Sequence, residues 1–169
     1  MTDDHAHEGR KRNNDNQRVG LAGEFFVAAE LSKRGFNVSL TLGNAKSVDI
    51  LAELDGAAIS LQVKTISRIQ SVGWPLPMDK RKIENVGIFV FVLLNDIGAQ
   101  PAYFLMQPDH VLSYGRWFET RAILGYGKIK NSHFRENWVL LSDIVRHSKS
   151  LGLSNAAQDF PIPPSQADS

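Results

Sequence analysis

Apolar residues first recur with helical spacing between Arg18 and Arg34, where Leu21, Ala22, Phe25, Ala29 and then Phe26 share one side and Gly35 follows at the position of a left-handed C-terminal cap. The period then changes to two. Phe36, Val38, Leu40 and Leu42 alternate with Asn37, Ser39 and Thr41, which predicts a strand with one buried face. Two more runs, Val48 to Leu54 and Ala57 to Ile66, flank Asp55-Gly56, a strong signal for a two-residue hairpin.

Residues 68–85 contain Gly73-Trp74-Pro75 and Pro77 and read as a loop, with at most a short helix around Lys80 to Glu84. Ile88 to Leu94 is apolar without alternation, as expected of a strand covered on both faces, and Ala102 to Met106 reads as its neighbour. Pro108 opens a short helix over 108–114, while 117–130 fits no single pattern. Phe134, Trp138, Leu141 and Val145 are spaced as the apolar stripe of a helix docked on the sheet. The alternation of these elements predicts an α/β (α+β) domain.

Composition sets bounds on this picture. The 169 residues are 43% hydrophobic and 22% charged, values of a globular chain rather than a disordered or membrane-embedded one. Residues 1–16 are almost all polar or charged, residues 150–169 are rich in Ser, Pro and Gln, and both read as loose tails around a single domain at 17–149. No apolar run has the length of a membrane span, the N-terminus lacks the core of a secretory signal, and a cytoplasmic location is expected. The absence of cysteine excludes disulfides, thiolate metal sites and cysteine nucleophiles, so any metal must bind oxygen or histidine nitrogen. The tails carry three basic and six acidic residues, which leaves 16 basic against 12 acidic in the body. That balance permits an anionic partner without requiring one.

The expected hairpin has a chemical consequence. A two-residue loop at 55 and 56 pairs residues 50 with 61, 52 with 59 and 54 with 57 on an apolar face. The opposite face then sets Asp49 across from Gln62, with Lys64 two residues further along the same side. Glu24 is the second clue. Its helical neighbours Gly20, Leu21, Val27 and Ala28 offer no charge partner, whereas Glu30 has Lys33 and Arg34 within a turn. A carboxylate among apolar residues is costly unless a cation or donor from elsewhere compensates it. Taken singly, each residue has an ordinary reading: a turn aspartate, a solvated lysine, a snorkelling glutamate. Their convergence on one face is what singles them out. His5 and His7 read as solvated tail residues, and His110, His133 and His147 have no spacing that suits a metal or a triad.

Gly20-Leu-Ala-Gly23-Glu24, Val48-Asp49-Ile50 and Gln62-Val63-Lys64, in this order on a helix and two strands, resemble the PD-(D/E)XK nuclease superfamily. The Gly-x-x-Gly-Glu opening is similar to that of Holliday-junction resolvases and restriction-like enzymes. The resemblance covers roughly residues 18–106 and implies a restriction-endonuclease-like α-β-β-β-α-β core with a mixed central sheet flanked by helices. Two positions depart from the motif: Val48 stands where its name has Pro, and Gln62 where many members carry Asp or Glu, which removes one negative charge from the metal site.

The resemblance implies a Mg²⁺-dependent (or Mn²⁺-dependent) endonuclease that hydrolyses DNA phosphodiester bonds in repair, recombination or defence. Asp49 would be the central ligand, assisted by the Gln62 side-chain oxygen, the Val63 carbonyl and Glu24, while Lys64 would orient water and stabilise developing charge. Arg68, Lys80, Arg81 and Lys82 are candidate substrate contacts, with Trp74 either a base-stacking residue or a core residue folded back. The basic stretch of Arg116, Arg121, Lys128, Lys130 and Arg135 is diluted by Glu119 and Glu136 and reads as surface decoration. The resemblance also allows a homodimer, although nothing in the sequence marks an interface. Two rival readings stand beside the nuclease: a weakened or inactive scaffold that binds nucleic acid or protein, with Gln62 a mark of decay, and a plain interaction domain. Joint retention of Glu24, Asp49 and Lys64 argues against the second.

Overall fold

The computed structural model describes residues 4–41, 48–67 and 73–150, with side chains from Asp15 onward. A long helix α1 (Asp4–Lys33) leads into β1 (Asn37–Leu40), β2 (Ile50–Leu54) and β3 (Ala57–Ser67). After β4 (Gly73–Leu76) and the single turn α2 (Arg81–Glu84) come β5 (Ile88–Leu94), β6 (Ala102–Met106) and α3 (Pro108–Tyr114). The chain continues through β7 (Arg116–Trp117), β8 (Ala122–Gly125) and α4 (Tyr126–Ile129) to α5 (Val139–Ser150). The central sheet has five strands in the order β1-β2-β3-β5-β6. β3 and β5 are parallel and the other pairs antiparallel, so the sheet is mixed, as expected.

Local signals decide the first half. Gly35 has φ 87°, and the Phe36 and Gly35 amides reach back to the Leu31 and Ser32 carbonyls, which closes α1 in a Schellman cap. Asp55 and Gly56 both have positive φ (54° and 83°), the backbone of a type I′ turn. The resulting register pairs Ile50 with Leu61, Ala52 with Ile59 and Leu54 with Ala57, as the apolar pattern requires.

Two apolar clusters lie on the two faces of the central sheet. Ile88, Val90 and Val92 of β5 point into the first, with Val27 and Leu31 of α1 and Leu141 and Val145 of α5. Phe89, Phe91 and Leu93 point into the second, which is roofed by Trp74, Leu76, Ala122 and Leu124. β5 is therefore apolar at every position because both of its faces are covered. The roof is a second sheet of order β4-β8-β7.

Several expectations are corrected. α1 begins at Asp4 rather than near Arg18, and it buries Gly23, Val27 and Leu31, leaving Leu21, Phe25 and Phe26 exposed. Residues 73–76 form a strand and not a loop: Pro75 is tolerated because β4 is an edge strand, where a missing N–H breaks no ladder. The ambiguous 117–130 segment becomes the β7–β8 hairpin and α4. The stripe through Phe134 is interrupted. Phe134 precedes α5, its carbonyl accepts the Leu105 amide N–H at 3.0 Å and its ring packs in the second cluster, whereas Trp138, Leu141 and Val145 pack in the first. Among the described residues no helix is long and apolar enough to cross a membrane. Leu42, Arg68 and the C-terminal segment read as a tail lie outside the described residues.

Candidate functional site

Asp49 occupies the bend before β2, where β3 continues past the end of its antiparallel partner. There its carboxylate takes over the ladder. Oδ2 accepts the Val63 amide N–H at 2.7 Å, and the same oxygen accepts the Gln62 side-chain amide in a very short contact. The main chain is fastened as well, since the Asp49 amide donates to the Leu61 carbonyl at 2.9 Å. Thr41 accompanies it, donating its amide to the Asp49 carbonyl and its hydroxyl to that of Val48. Among the described residues nothing donates to Asp49 Oδ1. One carboxylate oxygen, Oδ2, is thus fixed by two hydrogen bonds.

Gln62 and Lys64 share the β3 face that carries Ile66 into the second cluster, beside Phe89 and Phe91 of β5. Glu24 comes from the opposite layer. α1 crosses β3 at Gly23, where an added Cβ would lie 1.9 Å from Thr65 Oγ1, so only glycine lets the helix descend to this depth. The next residue, Glu24, is thereby lowered to the end of the sheet where Asp49 sits.

The electrostatics record this convergence. The Glu24 carboxyl is raised above its ordinary range, first by burial and then by the negative charge of Asp49. Asp49 is raised too, because burial outweighs the Val63 N–H and the nearby positive charge of Lys64. Glu30 behaves in the opposite way: its hydrogen bonds to Lys33 and Arg34 hold it low, as expected of a paired surface carboxylate. Burial is the larger cause in both acids, and the negative charge of Asp49 adds to it at Glu24.

Among the described residues, the groups that could hold a cation here are oxygen donors: the Glu24 and Asp49 carboxylates, the Gln62 amide oxygen and the Val63 carbonyl. This donor set fits a hard divalent ion such as Mg²⁺. It is also lean, since no group of three or more His, Cys, Asp or Glu gathers anywhere among the described residues. Gln62 presents its amide nitrogen to Asp49, and so acts first as a clamp on the central carboxylate.

The substrate-contact candidates separate. Trp74 is completely buried, with its indole N–H on the Val92 carbonyl at 2.9 Å and its ring edge-on to Phe91 and Phe104. It is a core residue, and the base-stacking alternative falls because no face of the ring is open. Arg81 is tied to Asp79 through two bonds of 3.0 Å. Lys80 and Lys82 are exposed, with the Lys80 ammonium 5.0 Å from the Trp117 ring, and Arg68 lies outside the described residues. Sequence spacing missed one pairing: His110 and His133 come together at 6.2 Å over Phe134, brought there by the turn before α5.

No protein-family model matches the sequence, and no curated protein does. Solved structures do. The chain is similar to the bacterial homing endonuclease I-Ssp6803I at 16% identity and a TM-score of 0.56, over 79% of this chain and 97% of that one. It also aligns with Hjc, a Holliday junction resolvase from the archaeal hyperthermophile Archaeoglobus fulgidus, at 16% identity and a TM-score of 0.42, over 66% and 87% of the two chains. With the mixed five-stranded sheet and its helices, the likeness to the homing endonuclease shows that the chain has the restriction-endonuclease-like fold.

Proposed function

We propose that the protein is a metal-dependent endonuclease that hydrolyses DNA phosphodiester bonds. What supports this reading is the contact of Gln62 with Asp49, together with the charge coupling of Asp49 to Glu24 on one side and to Lys64 on the other. Asp49 and Glu24 would hold Mg²⁺ or Mn²⁺, with the Val63 carbonyl and the Gln62 amide oxygen as further donors. Bound there, the ion supplies a Lewis acid for a phosphate oxygen and lowers the pKa of water.

The residues of the chain have their own parts. Gln62 and the Val63 amide keep Asp49 in one rotamer, which spares the site reorganisation during the reaction. Lys64, on the same face, donates to the attacking water and to a non-bridging phosphate oxygen, offsetting charge as the water oxygen bonds to phosphorus. The ester P–O bond breaks on the far side, the attacking water gives up a proton to solvent, and the departing oxygen takes one from solvent. A DNA-cutting role also suits the cytoplasmic location expected from the sequence.

The test is incubation of the purified protein with supercoiled, linear and branched DNA in Mg²⁺, Mn²⁺ or EDTA. Nicking that requires the metal and falls at least ~100-fold in Asp49→Ala and in Lys64→Ala is the expected result, the size usual for loss of one electrostatic stabiliser. Cleavage that survives both substitutions would sink the proposal. DNA binding without cleavage in any metal would favour the binding-scaffold reading instead.

A further inference from the structure

The β7–β8 hairpin has a feature that the hydrolytic site does not use. Its tip is closed by the Phe118 amide on the Arg121 carbonyl at 2.8 Å, and below it Trp117 pairs with Ala122 and Arg116 with Ile123. Alternation turns Trp117 inward toward the second cluster and Phe118 outward with Arg116. Phe118 is 41% exposed, and two guanidinium groups approach its ring, Arg116 at 5.4 Å and Arg121 at 5.2 Å.

Neither arginine has a carboxylate within ion-pair distance among the described residues, whereas Arg18, Arg34, Arg81 and Arg146 all do. The hairpin thus presents an apolar ring beside two uncommitted cations, with Glu119 at the tip as the only opposing charge on the turn. It belongs to the layer over the sheet face that carries Gln62, Lys64 and Ile66. Charge of this sign on this face complements a phosphodiester backbone, and arginines are suited to phosphate by their forked donors.

Resting on the nuclease reading, we propose that this hairpin is a DNA-contacting finger: Arg116 and Arg121 bind backbone phosphates, and Phe118 stacks on the face of a base. In an uninterrupted duplex base faces are hidden in the stack. The finger therefore selects DNA in which a base is unpaired or unstacked, which makes distorted or branched DNA the substrate class of the site. Stacking on an aromatic side chain is tolerant of base identity, so the preference is for structure rather than sequence.

The experiment measures binding in EDTA, where no cleavage occurs, to a paired duplex and to the same duplex with a short bulge, across a salt series. Wild type is expected to favour the bulged DNA. Phe118→Ala should lose roughly five-fold or more of the bulged-DNA affinity, bringing the two affinities together, while Phe118→Trp keeps the preference. Arg116→Gln and Arg121→Gln should each lower the salt slope by about one, and Arg→Lys at either position should retain it. Arg116, Phe118 and Arg121 are all exposed, so the variants should fold, and tryptophan fluorescence with thermal melting checks that they do.

A wild-type protein that binds neither DNA in EDTA and cleaves none in Mg²⁺ would remove the nuclease reading and this proposal together. Wild-type binding and cleavage, with the Phe118→Ala preference and the arginine-variant slopes unchanged, would overturn the finger alone.

Discussion

Two glycines three residues apart have opposite standing. Gly20 has open space around it, with nothing within 4 Å of an added Cβ, whereas a Cβ at Gly23 would collide with Thr65. Gly20→Ala should stabilise the protein by about 0.5–1 kcal/mol through helix propensity and leave cleavage intact. Gly23→Ala should gain the same propensity yet destabilise overall, and its cleavage should fall because α1 must lift and carry Glu24 away from Asp49. Urea denaturation and nicking rates of the two variants check this, and a Gly23→Ala protein as active and stable as wild type would refute the account of how Glu24 is placed. The Asp49, Gln62 and Lys64 cluster was legible residue by residue, because one turn and one alternation determine it. What the sequence did not reveal was that Gln62 donates to Asp49, since the rotamer of an amide depends on neighbours that the register does not specify.

Elements were readable where their partners are close in sequence. The β2–β3 hairpin needs only Asp55-Gly56 and two alternating runs. The β4-β8-β7 sheet pairs Gly73–Leu76 with the distant Ala122–Gly125, and its first strand carries a glycine and a proline, so no local pattern announces it. α1 misleads for a different reason. Leu21, Phe25 and Phe26 make the more hydrophobic side, but the helix packs through Gly23, Val27 and Leu31, where close approach to β3 is possible. Trp74 fastens the second sheet to the first. Trp74→Phe leaves a cavity and removes the donor to the Val92 carbonyl, and should cost about 1–3 kcal/mol. Because the residue is buried, the salt slope of DNA binding should not change; a lower slope at unchanged stability would contradict its core placement.

Over the whole molecule, charge is arranged unevenly. Among the described side chains of α1 and α5 and the turn after α1, the arginines and lysines are paired with carboxylates: Arg18 with Asp15, Lys33 and Arg34 with Glu30, Arg146 with Asp143 and Lys149 with Asp55. Lys80, Lys82, Arg116, Arg121, Lys128 and Lys130 have no such partner among the described residues, and they belong to the elements built over the other sheet face. A net charge of +1 conceals this segregation. The same contrast governs the response to pH. Glu30, Glu53 and Asp79 are held low by their hydrogen-bond partners, so what they contribute to stability is present at neutral pH and lost as pH falls through their folded values. Asp79 owes its low value to Arg81, its partner in the two bonds described above. Glu24 and Asp49 work in the reverse sense, because burial raises them. Their folded forms take up protons more readily than the unfolded chain, so their contribution is fully present below the unfolded carboxylate range and is lost as pH rises through the folded values.

Asp49→Asn isolates that opposing effect. Asparagine keeps an oxygen acceptor for the Val63 amide but carries no charge to bury. In metal-free buffer the variant should be more stable than wild type at pH 8, because it has no charge to bury. The difference should shrink as pH falls and vanish below about pH 3.9, the unfolded aspartate value, where wild-type Asp49 is also neutral. Divalent cation should act in the opposite direction: millimolar Mg²⁺ raises the stability of wild type at pH 8 by binding only the folded state, and leaves Asp49→Asn nearly unmoved. Urea denaturation of both proteins at acid, neutral and mildly alkaline pH, with and without Mg²⁺, measures all of these differences. A variant less stable than wild type at pH 8 without metal would mean that the Asp49 charge is already compensated by the protein, and the pocket would then have no deficit for a cation to fill.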